Sequence, residues 1–379
     1  MVAIIGVGIE GFRPAIKELS YKELMFEAAR KAYEDASIDP RKDVQSFIAC
    51  GEDFWWGTSI TDEYVPDQIG AAQKSVCTIS GDGIHGLITA YMHIQSGIAD
   101  IAVVEAHSKA SEVIKKGQVE MLGLDPIYNR PLNVHPNIIA GLEAQRFLSD
   151  SSLERRHLAS IVSKNKKNAL LNGRAAYGEH VSKERVLSRN IRFSPLTDYD
   201  ISEFSDGCVI LVVASDEAAK KIKHAVRITG VGWATHTNSI ESRDWTRAVY
   251  AELCAKQAYK MAGIKNPSKE LNMAEIDDTF SYKELQHLAS LGIVKQKDLK
   301  DGIESGQFER NGAFPVNPSG GCIGMGNALD ANGLQRVSEL ALQIRGEAGE
   351  CQIKDVRKGL AFSWRGVPTT TGAAVVLEG

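Results

Sequence analysis

Four short stretches carry the residues that could do chemistry. KSVCTISGDGIHGL (74–87) runs an apolar strand into a small-residue turn and then a helix, with Cys77 inside the strand and Ser80 at the turn. A helix N-terminus offers unpaired N–H donors and partial positive charge, suited to an oxyanion or to a nucleophile of lowered pKa. Ser80 therefore reads as an N-cap or as a nucleophile, and Cys77 as a small buried hydrophobe. DDTFSYKELQHL (277–288) clusters Asp277, Asp278 and Tyr282 after the strand MAEI. Paired carboxyls can split their pKa values into an acid and a base; helix capping is their duller role. NPSGGCIGMGNALDANG (317–333) is the most glycine-dense segment and presents Cys322, Asn327 and Asn332. It fits neither GxGxxG nor GxxxxGK[ST], so it is no nucleotide fingerprint. FSWRGVPTTTG (362–372) is a fourth Gly/Thr loop after a strand. His85 and His107 are the nearest bases by position, and a structural role is the more ordinary reading of each.

The elements that must hold these loops occur twice. VAIIGVG (2–8) is echoed by VRITGVG (226–232), and each reads as a β-branched strand ending in a Gly turn. The amphipathic helices at 23–38 and 250–264 share Ala-Tyr, Ala and Ile positions at an offset of 226. Gly-rich entries at 80–97 and 327–346 lead into long amphipathic helices, followed by apolar strands at 98–106 and 356–364. Strand–helix alternation of this kind favours helices on mostly parallel sheets. Ligands then bind at strand carboxyl ends, and the duplication brings two loops from each half to one face. The expected halves are 1–225, lengthened by an insert at about 110–205, and 226–379. Lys164, Lys166, Lys167 and Arg174 make the insert locally basic, as a solvated helix face or as a cap for the phosphates of a large anionic ligand.

The bulk numbers exclude several classes. The chain has 379 residues, 43% hydrophobic and 24% charged, which is globular composition. A net charge of −4 argues against a polyanion-binding surface, hence against nucleic acid. Six scattered cysteines without CxxC argue against a zinc site or disulfide framework and fit a reducing cytosol. No signal peptide or 18-residue apolar run stands out, so a cytoplasmic location without a membrane span is expected.

Over nearly its whole length the chain resembles the thiolase superfamily, specifically its sterol-carrier-type branch. The resemblance rests on the passage 157–215 with Pro195-Leu196 and Ser205-Asp206-Gly207, on NPSGG (317–321) with 326–333, and on Asp278-Thr279-Phe280-Ser281-Tyr282 in place of a histidine–aspartate–x–phenylalanine motif. It implies an α/β thiolase fold: two βαβαβαββ halves in a five-layer α-β-α-β-α arrangement, plus a loop domain. It also implies a homodimer, and coenzyme A thioesters as substrates with no permanently bound cofactor or metal.

The departures bear on mechanism. The family's nucleophilic Cys falls on Ser80, counted seventeen residues back from Gly97; the start of the second motif falls on Asp277. The family's Gly-His-Pro falls on Gly326-Asn327-Ala328, and its terminal base near Ser363 or Trp364. The implied catalytic set is Ser80, Tyr282, Asp277, Asp278 and Asn327, with Gly81, Gly326 and Gly366 around an oxyanion and Ser319, Gly320 and Gly321 against substrate. Thiolysis needs a thiolate and a base, and a serine hydroxyl without a histidine is a poor substitute. The favoured expectation is a non-covalent retro-aldol cleavage of a 3-hydroxyacyl-CoA, with Tyr282 as acid/base, the two aspartates orienting it and Asn327 donating to the thioester oxygen. The alternatives are acetyl-CoA acyltransferase activity through Ser80 and a non-catalytic acyl-CoA-binding subunit. Thiolase relatives that work beside a small zinc-ribbon/OB-fold protein suggest such a partner in trans.

Overall fold

In the computed structural model, which describes residues 1–52, 61–113, 115–237, 239–367 and 369–379, the repeated Gly-x-Gly segments do not end their strands. Strand β1 (Val2–Arg13) and strand β6 (Val226–Thr235) run straight through them. The glycines serve helix packing instead of a turn. A Cβ on Gly8 would lie 2.0 Å from the Ala28 carbonyl oxygen, and one on Gly6 2.4 Å from that of Ala32. In the second half a Cβ on Gly230 or Gly232 would lie 2.2 Å from the carbonyl oxygen of Ala258 or Cys254. Helices α1 (Tyr21–Ala36) and α5 (Val249–Ala262) thus lie backbone-close on their strands, and the alanines shared between the two halves are the other side of that contact.

The remaining strands of the main sheet are β2 (Ser46–Cys50), β3 (Ser75–Ile79), β4 (Ile101–Lys109), β5 (Asp206–Ser215), β7 (Met273–Ile276), β8 (Lys358–Trp364) and β9 (Thr371–Glu378); Ile191–Phe193 and Leu196–Thr197 pair apart from it. The main sheet is nine-stranded, ordered β3-β2-β4-β5-β1-β6-β9-β8-β7. Antiparallel pairing of Val2–Ile4 with Val226–Ile228 joins the halves. Outward from that seam the first half reads β1-β5-β4-β2-β3 and the second β6-β9-β8-β7. A parallel bridge from Ala274 to Val316 stands where the fifth strand of the second half would be.

Side chains alternate across the sheet with period two. On β5, Val209, Leu211 and Val213 enter a central core, while Cys208, Ile210, Val212 and Ala214 enter an outer one. The central core is filled by α2 (Gly83–Gln95) and α8 (Asn332–Arg345). Helix α1 covers one outer face; α5 and α6 (Ser281–Ser290) cover the other. The layers are therefore α-β-α-β-α, and the fold is the thiolase fold.

Residues 110–205 contribute α3 (Pro136–Ser151) and α4 (Arg155–Ala169), and the short helix α7 (Gly321–Met325) packs on α4. The basic residues of this insert are neither a solvated face nor a phosphate cap. Lys164 is buried, donating to the Val316 carbonyl and pairing with Glu284 at 2.8 Å; Lys166 is buried beside Tyr177 and Tyr199; Arg174 pairs with Glu339 at 2.7 Å. Only Lys167 of the four points to solvent. Lys164 and Lys166 lie on the face of α4 that protein covers, so these two cations are packed against internal groups. No described helix is long and apolar enough to cross a membrane.

Candidate active site

The first turns of α2 and α8 meet in the middle layer, and one carboxylate serves both. Asp82, not Ser80, is the N-cap of α2: its Oδ1 accepts from the Ile84 N–H at 3.0 Å. Its Oδ2 accepts from the Gly333 N–H of α8 at 2.8 Å and from the Ser363 hydroxyl of β8 at 2.7 Å. Glycine is needed at 333 because a Cβ there would lie 1.8 Å from Asp82 Oδ1. Two helix N-termini and a hydroxyl favour the anion. Burial, the largest influence, acts against it, and the carboxyl is pushed up to about 6.

Asp82 lies on the wall of a cavity of about 210 Å³. Glu52, Glu120, Thr279, Asn327, Asp330, Asn332, Arg365 and Thr369 are its other polar groups among the described residues, and Phe280, Leu329, Trp364 and Val367 are apolar. Asn327 Oδ1 accepts from the Leu329 N–H (3.0 Å) and from Asn332 Nδ2 (2.7 Å), which fixes the amide's orientation. Its Nδ2 donates to the Ser202 hydroxyl at 3.3 Å, so one N–H stays available to a ligand. Arg365 forms an ion pair with Glu52, whose own N–H donates to Asp330. Among the described residues, those that line the cavity include neither cysteine nor histidine.

Of the residues singled out from sequence, Asn327, Asn332, Trp364 and Gly366 line this cavity. Ser80 stands exposed beside it, donating to Glu52 Oε2 at 3.3 Å, and Gly81 packs against His85. Asp277 and Asp278 lie beneath, fully buried. Asp277 pairs with Arg336 at 2.7 Å, and the same guanidinium donates to Ser363 (2.9 Å) and to Cys322 Sγ (2.8 Å). Asp278 receives the Cys322 and Ile323 N–H groups at the start of α7 and the Asn165 amide; burial pushes it up to about 7. Gly321 passes directly over Asp278, and Gly320 passes over Ala169 in a left-handed conformation. Ser319 donates its N–H and its hydroxyl to Glu275, and Gly326 abuts Ser205. None of these residues beside or beneath the cavity is on its wall.

Tyr282 lies behind the aromatic wall. It is fully buried, donates to Glu143 Oε2 at 2.9 Å, and burial drives its phenol far up. Lys283 joins the same cluster, 2.9 Å from Glu143 and 4.2 Å from the Trp364 ring centre. Tyr282 is thus not brought together with Asn327 on the cavity surface. Cys77 is half-buried on the edge strand β3, and Cys322 is buried; in both, burial raises the thiol. His107 is held by Glu105 at 2.7 Å, and the His85 ring is buried without a hydrogen bond among the described residues.

Sequence reasoning passed over Asp82, Glu52, Glu120 and Arg365. Asp82 had a local signal: Asp-Gly before an apolar helical run is an N-cap pattern. Its second and third partners come from the other half and had none.

Residues 232–378 match the family model described as "Thiolase C-terminal domain-like". The acetyl-CoA acetyltransferase of Methanothermobacter thermautotrophicus is 26% identical over 99% of this chain and 98% of its own length. Sterol carrier protein 2 of Oryctolagus cuniculus is 26% identical over 95% of this chain and 69% of its own. The solved Ltp2-ChsH2(DUF35) aldolase superposes with a TM-score of 0.84 at 24% identity, over 100% of this chain and 97% of that one. The C-terminal match, the relatives and the shared fold agree: the chain is similar to the thiolase superfamily and, within it, to sterol-carrier-type proteins.

Proposed function

We propose that this protein cleaves a carbon–carbon bond of a 3-hydroxyacyl-CoA by a retro-aldol route, without a covalent acyl-enzyme. The observation that carries this reading is the makeup of the cavity wall: carboxyls and amides, with no thiol and no imidazole among the described residues. Claisen chemistry through an acyl-enzyme needs a nucleophile on that wall. Retro-aldol cleavage needs a base for the 3-hydroxyl and donors for the thioester oxygen as it becomes an enolate. Asp82 is our base, in place of Tyr282, whose hydroxyl is committed to Glu143. Asn327 Nδ2 is our donor to the enolate oxygen. Ser80 steadies Glu52, and Asp277, Asp278, Ser319, Gly320, Gly321 and Gly326 support the cavity from behind its wall. The solved Ltp2-ChsH2(DUF35) neighbour is an aldolase, which supports the same class, and its ChsH2(DUF35) component supports a partner protein for this chain too. We further propose a homodimer through β3, an edge strand hydrogen-bonded to β2 alone among the described strands.

The test is direct. The purified protein is given acetoacetyl-CoA plus CoA, and separately 3-hydroxy-3-methylbutanoyl-CoA, a tertiary alcohol. Acetone and acetyl-CoA from the second, with a Ser80→Ala variant as active as the parent, are expected. Thiolysis of the first that disappears in Ser80→Ala would replace this reading by acyltransfer. Binding without either product would favour a non-catalytic subunit.

A further inference from the structure

The retro-aldol reading supplies a base but leaves the departing enolate without a proton donor. The segment between β4 and α3 reaches the same cavity: Glu120 and Gly123 line it together with Asp82. Glu120 ends the short helix Lys116–Glu120 and is half-buried, with no hydrogen bond or ion pair to any described residue. The other carboxyls on the wall are engaged. Glu52 holds Arg365 and receives Ser80; Asp330 receives the Glu52 N–H; Asp82 receives three donors. The nearby Lys116 ammonium lies over the Phe204 ring, 5.0 Å from its centre. A carboxyl that accepts hydrogen bonds is held as the anion; a partly buried one with no donor and no paired cation keeps its proton to higher pH.

We propose that Glu120 is the general acid of this site, delivering its proton to C2 of the enolate that forms when Asp82 removes the 3-hydroxyl proton. The inference rests on the retro-aldol reading and completes it. The hydroxyl proton passes to Asp82, and the O–H electron pair becomes the new C=O bond. The C2–C3 pair moves into the enolate. C2 then takes the Glu120 proton, giving the acyl-CoA and a ketone or aldehyde. Asp82 ends protonated and Glu120 ionised, and proton exchange through water restores both. No oxidant or further reactant is required. Burial acts in the matching order, pushing Glu120 up to about 7 against about 6 for Asp82.

The experiment uses the full chain and 3-hydroxy-3-methylbutanoyl-CoA, with acetone release followed from pH 5 to 9. Wild type should show a bell, rising through about 6 as Asp82 ionises and falling through about 7 as Glu120 loses its proton. Glu120→Gln should lower kcat by about 10²–10⁴-fold with the alkaline limb gone, and Glu120→Asp should recover part of it. Melting temperatures of the variants identify any loss due to folding, and the wild-type alkaline limb is read without any variant. A Glu120→Gln enzyme with unchanged kcat, or a wild-type profile flat from pH 6 to 9, overturns the role of Glu120 and leaves the retro-aldol reading standing. No acetone from wild type at any pH overturns the reading itself.

Discussion

Asp82 accepts hydrogen bonds from the first turns of two helices, the second through Gly333, 251 residues further along the chain, and from the Ser363 hydroxyl of a third element. Asp82→Asn keeps its size but replaces one acceptor oxygen with a donor. Whichever way the amide turns, it faces an N–H that it cannot satisfy. The expected cost is about 1–3 kcal/mol of stability, read from urea unfolding, with about a 10²–10⁴-fold fall in aldol cleavage. Tyr282→Phe is the companion variant. It removes a buried hydrogen bond to a charged partner, worth about 1.5–3 kcal/mol. A Tyr282→Phe enzyme with an unchanged melting temperature and a collapsed kcat would move that hydroxyl into the reaction and displace Asp82. At this scale the sequence was partly legible. Asn327 lines the cavity, and its place in a Gly-rich motif is a local property that sequence can carry. The convergence on Asp82 and the reach of Glu120 are products of long-range packing, which no window of sequence contains.

Elements were more legible than residues, because period and duplication survive without coordinates. The helix read at 23–38 is Tyr21–Ala36, that read at 250–264 is Val249–Ala262, and the strand read at 356–364 is Lys358–Trp364. The glycines of β1 and β6 were the exception. As punctuation they suggest turns, but their role is to let a helix backbone approach a strand. That approach gives a paired expectation. Gly8→Ala and Gly232→Ala each place a methyl about 2 Å from a helix carbonyl, so α1 or α5 must lift from the sheet. Each should cost about 1–3 kcal/mol or more in denaturant unfolding. A substitution tolerated in one half and not in the other would break the equivalence of the two contacts. The lysines of α4 teach a similar lesson. A run of charges on an amphipathic pattern reads as a wet surface until the layer that covers it is known.

At the scale of the whole molecule, the carboxyls beneath the cavity make stability depend on pH. Glu275 is fully buried on β7; burial pushes it up to about 8, partly offset by the Ser319 donors. Asp278 stands at about 7 for the same main reason. A folded-state pKa above the unfolded one means that the native state binds more protons between the two values. The contribution is then complete below the unfolded value of 4.5 for Glu275 and is lost as pH rises through about 8. Within that window the loss approaches about 1.4 kcal/mol per pH unit per group. Glu143 works in the opposite sense: burial alone would raise it, but Lys283, Arg243 and the Tyr282 hydroxyl together hold it below its ordinary value, so its contribution is lost on acidification. The total profile therefore mixes both signs, and a difference between variants isolates one. Glu275→Gln mimics the neutral acid, and the Ser319 hydroxyl can turn to accept from the new amide. Urea unfolding of the two proteins at pH 5, 7 and 8.5 should show the variant gaining on wild type steadily as pH rises, with a crossover before 8.5. A difference that stays constant across the three would mean that Glu275 is ionised in the folded protein and that a cation or water reaches it beneath the cavity.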